Sequence, residues 1–401
     1  MNSNIEKFDI CIVGGSIAGN YLSYLLSKTD LKIAIIEEHE EIGLPFQCAG
    51  IISKKLSKLI ELPKNIVLNH VEIARLVAPS GKSIRLSGDE QPYVVDRIAL
   101  DKLFYEKVKD NINITYFLGE RFKSFEYLQK SHQKQVLLQT SKRQLQVKLL
   151  IGCDGPLSTV AGSLGIRNKV IYGAQIRVNG NFNQNEALMY FDQRWKELFG
   201  WIVPEGNKIY RIGLASSKNA SKNIKIFLNK LNVKYENKIS QQGGIIPVGT
   251  MNKSAFDNVL LLGDSACQVK ATTGGGIVML LSCAKYAADC IIKCVKTNNF
   301  SRKAIKKYYE KPILVHIGKE LKLHYMIRTV IENFSSEDFD NFVQILNTTN
   351  VGNIISFYGD MDFPKRMILK LLRNSIVLKF LINFLRKNPL IIIKLLKIML
   401  H

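Results

Sequence analysis

Three groups of residues in this 401-residue chain have the types and spacing for chemistry. The first is a turn, Gly14, Gly15, Ser16, Ile17, Ala18 and Gly19, which follows the apolar run Phe8 to Val13. A helical pattern runs from Ile17 to about Lys28, and a second apolar run, Leu31 to Ile36, ends in Glu37 and Glu38. Strand, glycine turn, helix, strand and acid form the unit that binds an adenine dinucleotide. Gly14 permits the tight turn, and Gly19 lets the helix pack close to the strand. The pyrophosphate is expected against the first amides of the helix, where the dipole favours an anion. Glu37, 18 residues after Gly19, is placed to accept the ribose hydroxyls. Ser16 occupies the middle glycine position of the fingerprint, so a hydroxymethyl stands where the backbone approaches the ligand most closely.

The second group is the loop Pro45-Phe46-Gln47-Cys48-Ala49-Gly50, which leaves the carboxyl end of the second strand. That is the ligand side of such a sheet, so Cys48 is either a thiol near a reactive ring or a small buried hydrophobe. The third group closes two later strands. Leu149 to Cys153 runs into Asp154 and Gly155, and Val259 to Leu262 runs into Gly263 and Asp264. Gly274, Gly275 and Gly276 then open a helix at Ile277, offering bare amides to an anion or to a reduced, negatively charged flavin ring. No second glycine fingerprint follows a strand, so a separate pyridine-nucleotide site is not expected.

These groups need a doubly wound core and something to face it. Residues 70–95 alternate as a hairpin around Pro79-Ser80-Gly81, and a helix carrying Leu100, Leu103 and Phe104 starts after Arg97. Arg97 at that junction is suited to pair with a phosphate, or is simply solvated. Residues 112–150 read as several short strands. Residues 170–250 are strand-rich, with aromatics including Trp195, Phe199 and Trp201, and predict an antiparallel second sheet. From about 300 the chain is helical and basic. In its last thirty residues Lys and Arg interrupt every apolar block, and Pro389 divides the tail into two helices. No stretch reaches the roughly 18–20 uncharged residues of a membrane span. Such a tail either lies on an anionic membrane surface or packs on the body.

Composition narrows the classes. At 46% hydrophobic residues the chain is globular, and its formal charge of +22 calls for an anionic partner: lipid, nucleic acid or a phosphorylated substrate. Seven scattered cysteines suit a reducing cytoplasm, and Met1 to Lys7 leads directly into the first strand without a signal peptide. Cys283, Cys290 and Cys294 share one helix face with no histidine nearby, which reads as core and not as a metal site.

The glycine turn, Asp154-Gly155 and Gly263-Asp264, in this order, resemble the FAD fold of the para-hydroxybenzoate hydroxylase type over most of residues 5–295. The resemblance implies FAD, with Gly263-Asp264 at the ribityl and pyrophosphate, Asp154-Gly155 bordering the same groove, and Arg97 near the flavin. Within that type the chain resembles the geranylgeranyl reductase group, archaeal digeranylgeranylglycerophospholipid reductases above all. Pro45 to Gly50 is similar to the group's Pro-x-x-Cys loop. Phe199-Gly200-Trp201-Ile202-Val203-Pro204 is similar to its Tyr-x-Trp-x-Phe-Pro substrate motif. Gly263 to Ile277 is similar to its flavin segment. Phe199 lacks the motif's hydroxyl, Val203 replaces a Phe and so leaves a smaller cavity wall, and Ala271 stands where a Pro is usual.

The likeness implies an α/β fold. Its FAD-binding Rossmann-like domain comprises residues 1–70, 95–168 and 250–300. An inserted antiparallel β-sheet substrate domain comprises 71–94 and 169–249, and a basic helical region covers 301–401. It also implies an FAD-dependent reductase that saturates C=C bonds of geranylgeranyl chains. Trp201, Phe199 and Pro204 would line an apolar tunnel, Cys48, Ala49 and Gly50 would border the ring, and the amides at 274–276 would meet the flavin N1–C2 edge. The electron donor is either NAD(P)H or reduced ferredoxin, and the enzyme is expected in the cytoplasm, peripheral on the inner face of the membrane. The rival on the same fold is a flavin monooxygenase or halogenase, but a halogenase's Trp-x-Trp-x-Ile-Pro stretch is missing its first Trp here. A nucleic-acid-binding flavoprotein is disfavoured, because the basic tail carries aliphatic residues in place of stacking aromatics.

Overall fold

The computed structural model describes residues 5–130 and 133–400, so Met1 to Asn4, part of the stretch expected to lack a signal peptide, lie outside it. Its centre is a six-stranded sheet in the order Ala255–Phe256, Val259–Leu261, Leu149–Gly152, Ile10–Val13, Ile33–Ile36 and Ile114–Phe117. All pairs are parallel except the first, a short antiparallel edge. Parallel strands are covered on both faces, and here the pleat shows how. Ile10, Ile12, Ile33 and Ile35 pack under the helices Ile17–Leu26 and Ile277–Lys296. Cys11, Val13, Ala34 and Ile36 pack on the other side, against Phe122, Val136, Leu138 and Leu145 of a four-stranded sheet. That sheet contains a hairpin of 9 and 8 residues, Phe122–Lys130 and Gln133–Thr140, longer than the short strands expected there. Its pattern is hard to read because its outer face is polar and solvated.

A seven-stranded sheet joins Ile73–Val77 and Ser83–Ser87 to five strands between Val170 and Pro247. One face packs Ile176, Ile202, Ile212 and Leu214 beneath the helix Ala220–Lys230, which carries Ile224, Phe227 and Leu228 inward. The opposite face looks toward the glycine segment of the parallel sheet. Tyr93–Val95 is not part of this sheet. It pairs with Ile51–Ile52 and Val67–His70 in a small three-stranded sheet between the two larger ones.

From Ser301 onward the described chain is mainly helical, ending in Lys365–Leu371, Ser375–Lys387 and Pro389–Leu400. Val377, Phe384 and Ile391 are buried with Phe334, Phe339, Val343 and Ile84, so one face of the tail packs on the body. The other face is open: Leu390 is 70% exposed, Leu396 53% and Leu400 85%. Among the described residues no helix is long and apolar enough to cross a membrane. Cys283, Cys290 and Cys294 are fully buried in the helix core, and no cluster of metal-ligating side chains occurs among the described residues.

Candidate active site

The glycine turn is set by contacts that leave no room for a side chain. Gly14 has φ +105°, and a Cβ there would lie 2.3 Å from the Cys153 carbonyl oxygen. A Cβ on Gly19 would lie 2.0 Å from the Gly14 carbonyl oxygen. Ser16 is the N-cap of the helix and its side chain makes no capping bond, so the first-turn amides have no side-chain cap. Its hydroxyl instead donates to Asp101 Oδ2 at 3.2 Å. Glu37 accepts the Gly15 amide at 2.7 Å, which fixes the acid at the mouth of the turn. Asn20, buried in the helix, ties the Gly15 carbonyl (2.6 Å) to that of Asp101 (3.1 Å). The Asp154-Gly155 segment borders the turn, since the Asp154 amide nitrogen is 3.1 Å from the Gly14 Cβ position. The Asp154 carboxylate itself points away and accepts from Ser158 and the Val160 amide.

Arg97 is the electrostatic centre. It donates to Asp101 Oδ1 at 2.9 Å, and its Nε has no partner. Burial opposes its charge, but Asp101 and the adjacent Cys48 thiol outweigh burial and raise its pKa. Asp264 lies in the same group: burial pushes its pKa up to about 6, with Arg97 pulling the other way. The structure therefore brings Cys48, Asp101 and Asp264 together around Arg97, with Ser16 tied in through Asp101. Sequence reading passed over Asp101, although its i+4 spacing from Arg97 on one helix is the available signal.

The Cys48 loop is pinned from the seven-stranded sheet. Gln175 and Gln242 both donate to the Cys48 carbonyl, at 3.3 and 3.2 Å. Buried Arg211 donates to the Ala49 carbonyl at 2.8 Å and is held by Glu205 at 2.9 Å. Gly50 is glycine because a Cβ would sit 1.9 Å from Arg211 Nη1. Gln175 also accepts the Trp201 indole N–H at 2.6 Å, so the tryptophan and the cysteine loop share one bracket. Gly213 lets the indole lie flat: a Cβ would be 2.6 Å from Trp201 Cε2. None of these polar partners stood out in sequence, because a lone Gln or Arg in a strand reads as solvated.

Phe199 and Trp201 occupy the same sheet face, partly exposed, with ring centroids 6.5 Å apart. They pack with Ile246 and Ala271, and Ile246 touches the Gly274 Cβ position at 3.1 Å. Pro204 does not join them. It pairs with Tyr210, and strand alternation places it with Ile202 on the opposite face, one residue out of phase with a wall built from 199 and 201. Val203 does not border open space either, since it is packed against Val71, Val94 and Ala187.

Gly274 has φ +70°, and Gly276 is the N-cap of the helix Ile277–Lys296 without a side-chain cap bond. Gly263 packs on Ala18, joining the two glycine segments, and Asp264 Oδ1 is 3.4 Å from the Gly276 Cβ position.

Residues 7–244 match the FAD binding domain family. The chain belongs to that family. It is an FAD-dependent oxidoreductase. A digeranylgeranylglycerophospholipid reductase of Methanococcus vannielii is 26% identical over 87% of this chain and 94% of its own. An uncharacterized protein of Methanocaldococcus jannaschii is 27% identical over 92% of this chain and 96% of its own. A geranylgeranyl bacteriochlorophyll reductase-like structure from Thermoplasma acidophilum superposes with TM-score 0.81 at 20% identity, covering 95% of this chain and all of that one. A probable FAD-dependent monooxygenase from Pseudomonas aeruginosa gives 0.63 at 16% identity over 85% of this chain and all of its own, sharing the fold alone. The residues present fit FAD. Two helix N-termini without side-chain caps are joined through the Gly263–Ala18 contact, and Arg97 offers a buried, unpaired N–H to an anion.

Proposed function

We propose that this flavoprotein saturates C=C bonds in geranylgeranyl chains of isoprenoid ether lipids or their precursors. The reading is supported by the names of its relatives and by one observation of its own: the bracket Trp201–Gln175–Cys48, which ties an apolar face to the loop bordering the glycine segment. In this reading Gly14, Gly15, Ser16, Ala18 and Gly19 hold the pyrophosphate, and Glu37 holds the ribose. Asp154-Gly155 and Gly263-Asp264 close the groove, and the segment Gly274, Gly275, Gly276 and Ile277 meets the ring, although the Gly274 amide itself is held by the Lys270 carbonyl. The domain division above follows the same reading.

When bound, reduced FAD supplies the hydride. An isolated C=C bond has no carbonyl to polarise, so the chain's task is positioning in a dry site. Trp201 and Phe199 hold the prenyl chain against Ile246 and Ala271. Cys48, its sulfur accepting the Gly50 amide at 3.3 Å and standing near Arg97, would supply the proton that the second carbon requires. The exposed apolar face of the tail, edged by Lys394 and Lys397, lies on an anionic membrane surface where the substrate resides. Each basic residue near such a surface contributes about 1 kcal/mol of attraction. NAD(P)H or reduced ferredoxin supplies the electrons.

The test reduces the purified protein with dithionite under argon, adds digeranylgeranylglyceryl phosphate in detergent, and follows product mass. Gains in steps of two hydrogens, reduced about 100-fold in rate by Trp201→Ala, are expected. A flavin-loaded protein that yields no mass gain overturns the lipid assignment; hydroxylated product with oxygen and NAD(P)H would put the monooxygenase in its place.

A further inference from the structure

A buried charged cluster lies directly behind the second glycine segment and takes no part in the chemistry above. Lys270 is 7% exposed in its side chain, and its ammonium donates to Asp362 Oδ1 at 2.6 Å. Asp362 is fully buried, and its second oxygen has no hydrogen-bond partner. The backbone of the same lysine grips the glycines. Its carbonyl accepts the Gly274 amide at 2.8 Å, and its amide donates to the Gly275 carbonyl at 3.1 Å. The side chain folds back under them, with Lys270 Nζ 3.4 Å from the Cβ position of Gly275. No atom of Asp362 is among the three nearest to that point. The ion pair thus turns its positive end toward the glycine amides.

The remaining groups of the cluster leave that orientation intact. His324 Nε2 lies 3.0 Å from the Asp362 carbonyl oxygen, which can only accept, so Nε2 carries the proton and Nδ1 accepts from Thr272 at 2.7 Å. Burial, with Lys270 adding to it, pushes the His324 pKa down to about 4, so the ring is neutral at physiological pH. Lys55 is neutralised outside the cluster by Asp360 at 2.9 Å and Glu90 at 3.2 Å, and stands 4.0 Å from Asp362. A buried ion pair is a weak source of stability, and apolar residues of similar volume often do as well. Its position suits an electrostatic role better than a structural one.

We infer that Lys270 sets the reduction potential of the bound flavin, with Asp362 as the counter-charge that offsets it. The inference rests on the placement of the ring at residues 274–276 given above. Two electrons from the donor and one proton convert FAD to FADH−, which carries its charge toward the N1–C2 edge. A buried ammonium behind the amides at that edge favours this form over the neutral oxidised one, because the low local dielectric leaves the interaction poorly screened. Asp362 comes from the loop that leads into the tail helices, so the C-terminal region reaches the flavin through this pair.

The test is the midpoint potential of the FAD-loaded full chain, read by dye equilibration without lipid, so its outcome is independent of the prenyl substrate. Lys270→Met is expected to weaken binding of reduced relative to oxidised FAD at least tenfold, a fall of about 30 mV for a two-electron couple. Lys270→Arg should restore most of it, whereas Asp362→Asn should shift the potential upward. A Lys270→Met protein that holds FAD at the unaltered potential overturns the inference. Where Lys270→Met fails to fold or to retain FAD, Asp362→Asn decides: a raised potential supports the inference, and an unchanged or lowered one overturns it.

Discussion

Two glycine segments open two long helices at the same groove, and they are glycine for different reasons. At the first, Cβ atoms on Gly14 and Gly19 would strike backbone carbonyls at 2.3 and 2.0 Å. A backbone oxygen directly after a buried strand cannot retreat, so the fold itself demands glycine there, with or without a ligand. At the second, a Cβ on Gly276 would meet Val269 Cγ2 at 3.1 Å and Asp264 Oδ1 at 3.4 Å, and one on Gly275 would meet Lys270 Cε at 3.2 Å. Those are side-chain atoms that can shift by a few tenths of an ångström. Gly274, at φ +70°, is glycine for its own backbone, but at Gly275 and Gly276 the fold does not demand it, which leaves close approach of a ligand as the reason. Its supports also differ. The first rests on neutral backbone packing, the second on a buried cluster of charges contributed by the C-terminal region.

The contrast can be broken by substitution. Gly19→Ala should have the largest effect: a loss of about 3 kcal/mol in the apo-protein and no retained FAD, checked by thermal melting and flavin content. Gly276→Ala should leave the apo-protein melting within a few degrees of the parent while FAD binds about tenfold more weakly, a change of about 1.4 kcal/mol read by flavin fluorescence titration. Equal loss of apo stability in both variants would erase the distinction drawn between the segments.

Asp264 sharpens the comparison through pH. Its pKa is raised in the folded state to about 6, mainly by burial, so the folded protein holds that proton more tightly than the unfolded chain. The contribution is fully present below the unfolded value near 3.8 and is lost as pH rises through about 6. His324 runs the other way: with its pKa lowered to about 4, its contribution is lost as pH falls from the ordinary histidine range. The parent should therefore lose stability relative to Asp264→Asn as pH rises from 4 to 7, measured by denaturant unfolding at each pH. A difference independent of pH would remove Asp264 from the list of buried titrating groups.

The smallest stability effect belongs to the tail's open face. Ile393 and Leu396 are 51% and 53% exposed, so Ile393→Glu with Leu396→Glu should change stability by no more than about 0.5 kcal/mol each. Sedimentation with anionic vesicles should fall severalfold in that double variant, and the reduction of detergent-dispersed lipid should persist. Unaltered vesicle binding would assign this face to another partner.

Sequence alone determined the dinucleotide unit. The apolar run, the glycines and the acid at its end are local features, and their order along the chain is their order around the ligand. The match of residues 7–244 to the FAD-binding family agrees with that reading, and the likeness to prenyl-lipid reductases was visible in three short motifs. The helix split at Pro389 was equally legible, because proline acts on its own neighbours.

Only tertiary structure decided the rest. Pro204 was grouped with Trp201 through the resemblance to the substrate motif, but the pleat sends it to the other face. Asp101, Gln175, Arg211 and Gln242 gained their meaning from partners between 4 and 194 residues away. The tail's two alternatives turned out to be compatible, because Val377, Phe384 and Ile391 face the body while Leu396 and Leu400 do not. Lys270 and Asp362, 92 residues apart, carry no motif. A glycine turn is specified by the conformations one short segment can adopt, whereas a buried ion pair exists only once distant segments have excluded the water that would otherwise separate its charges.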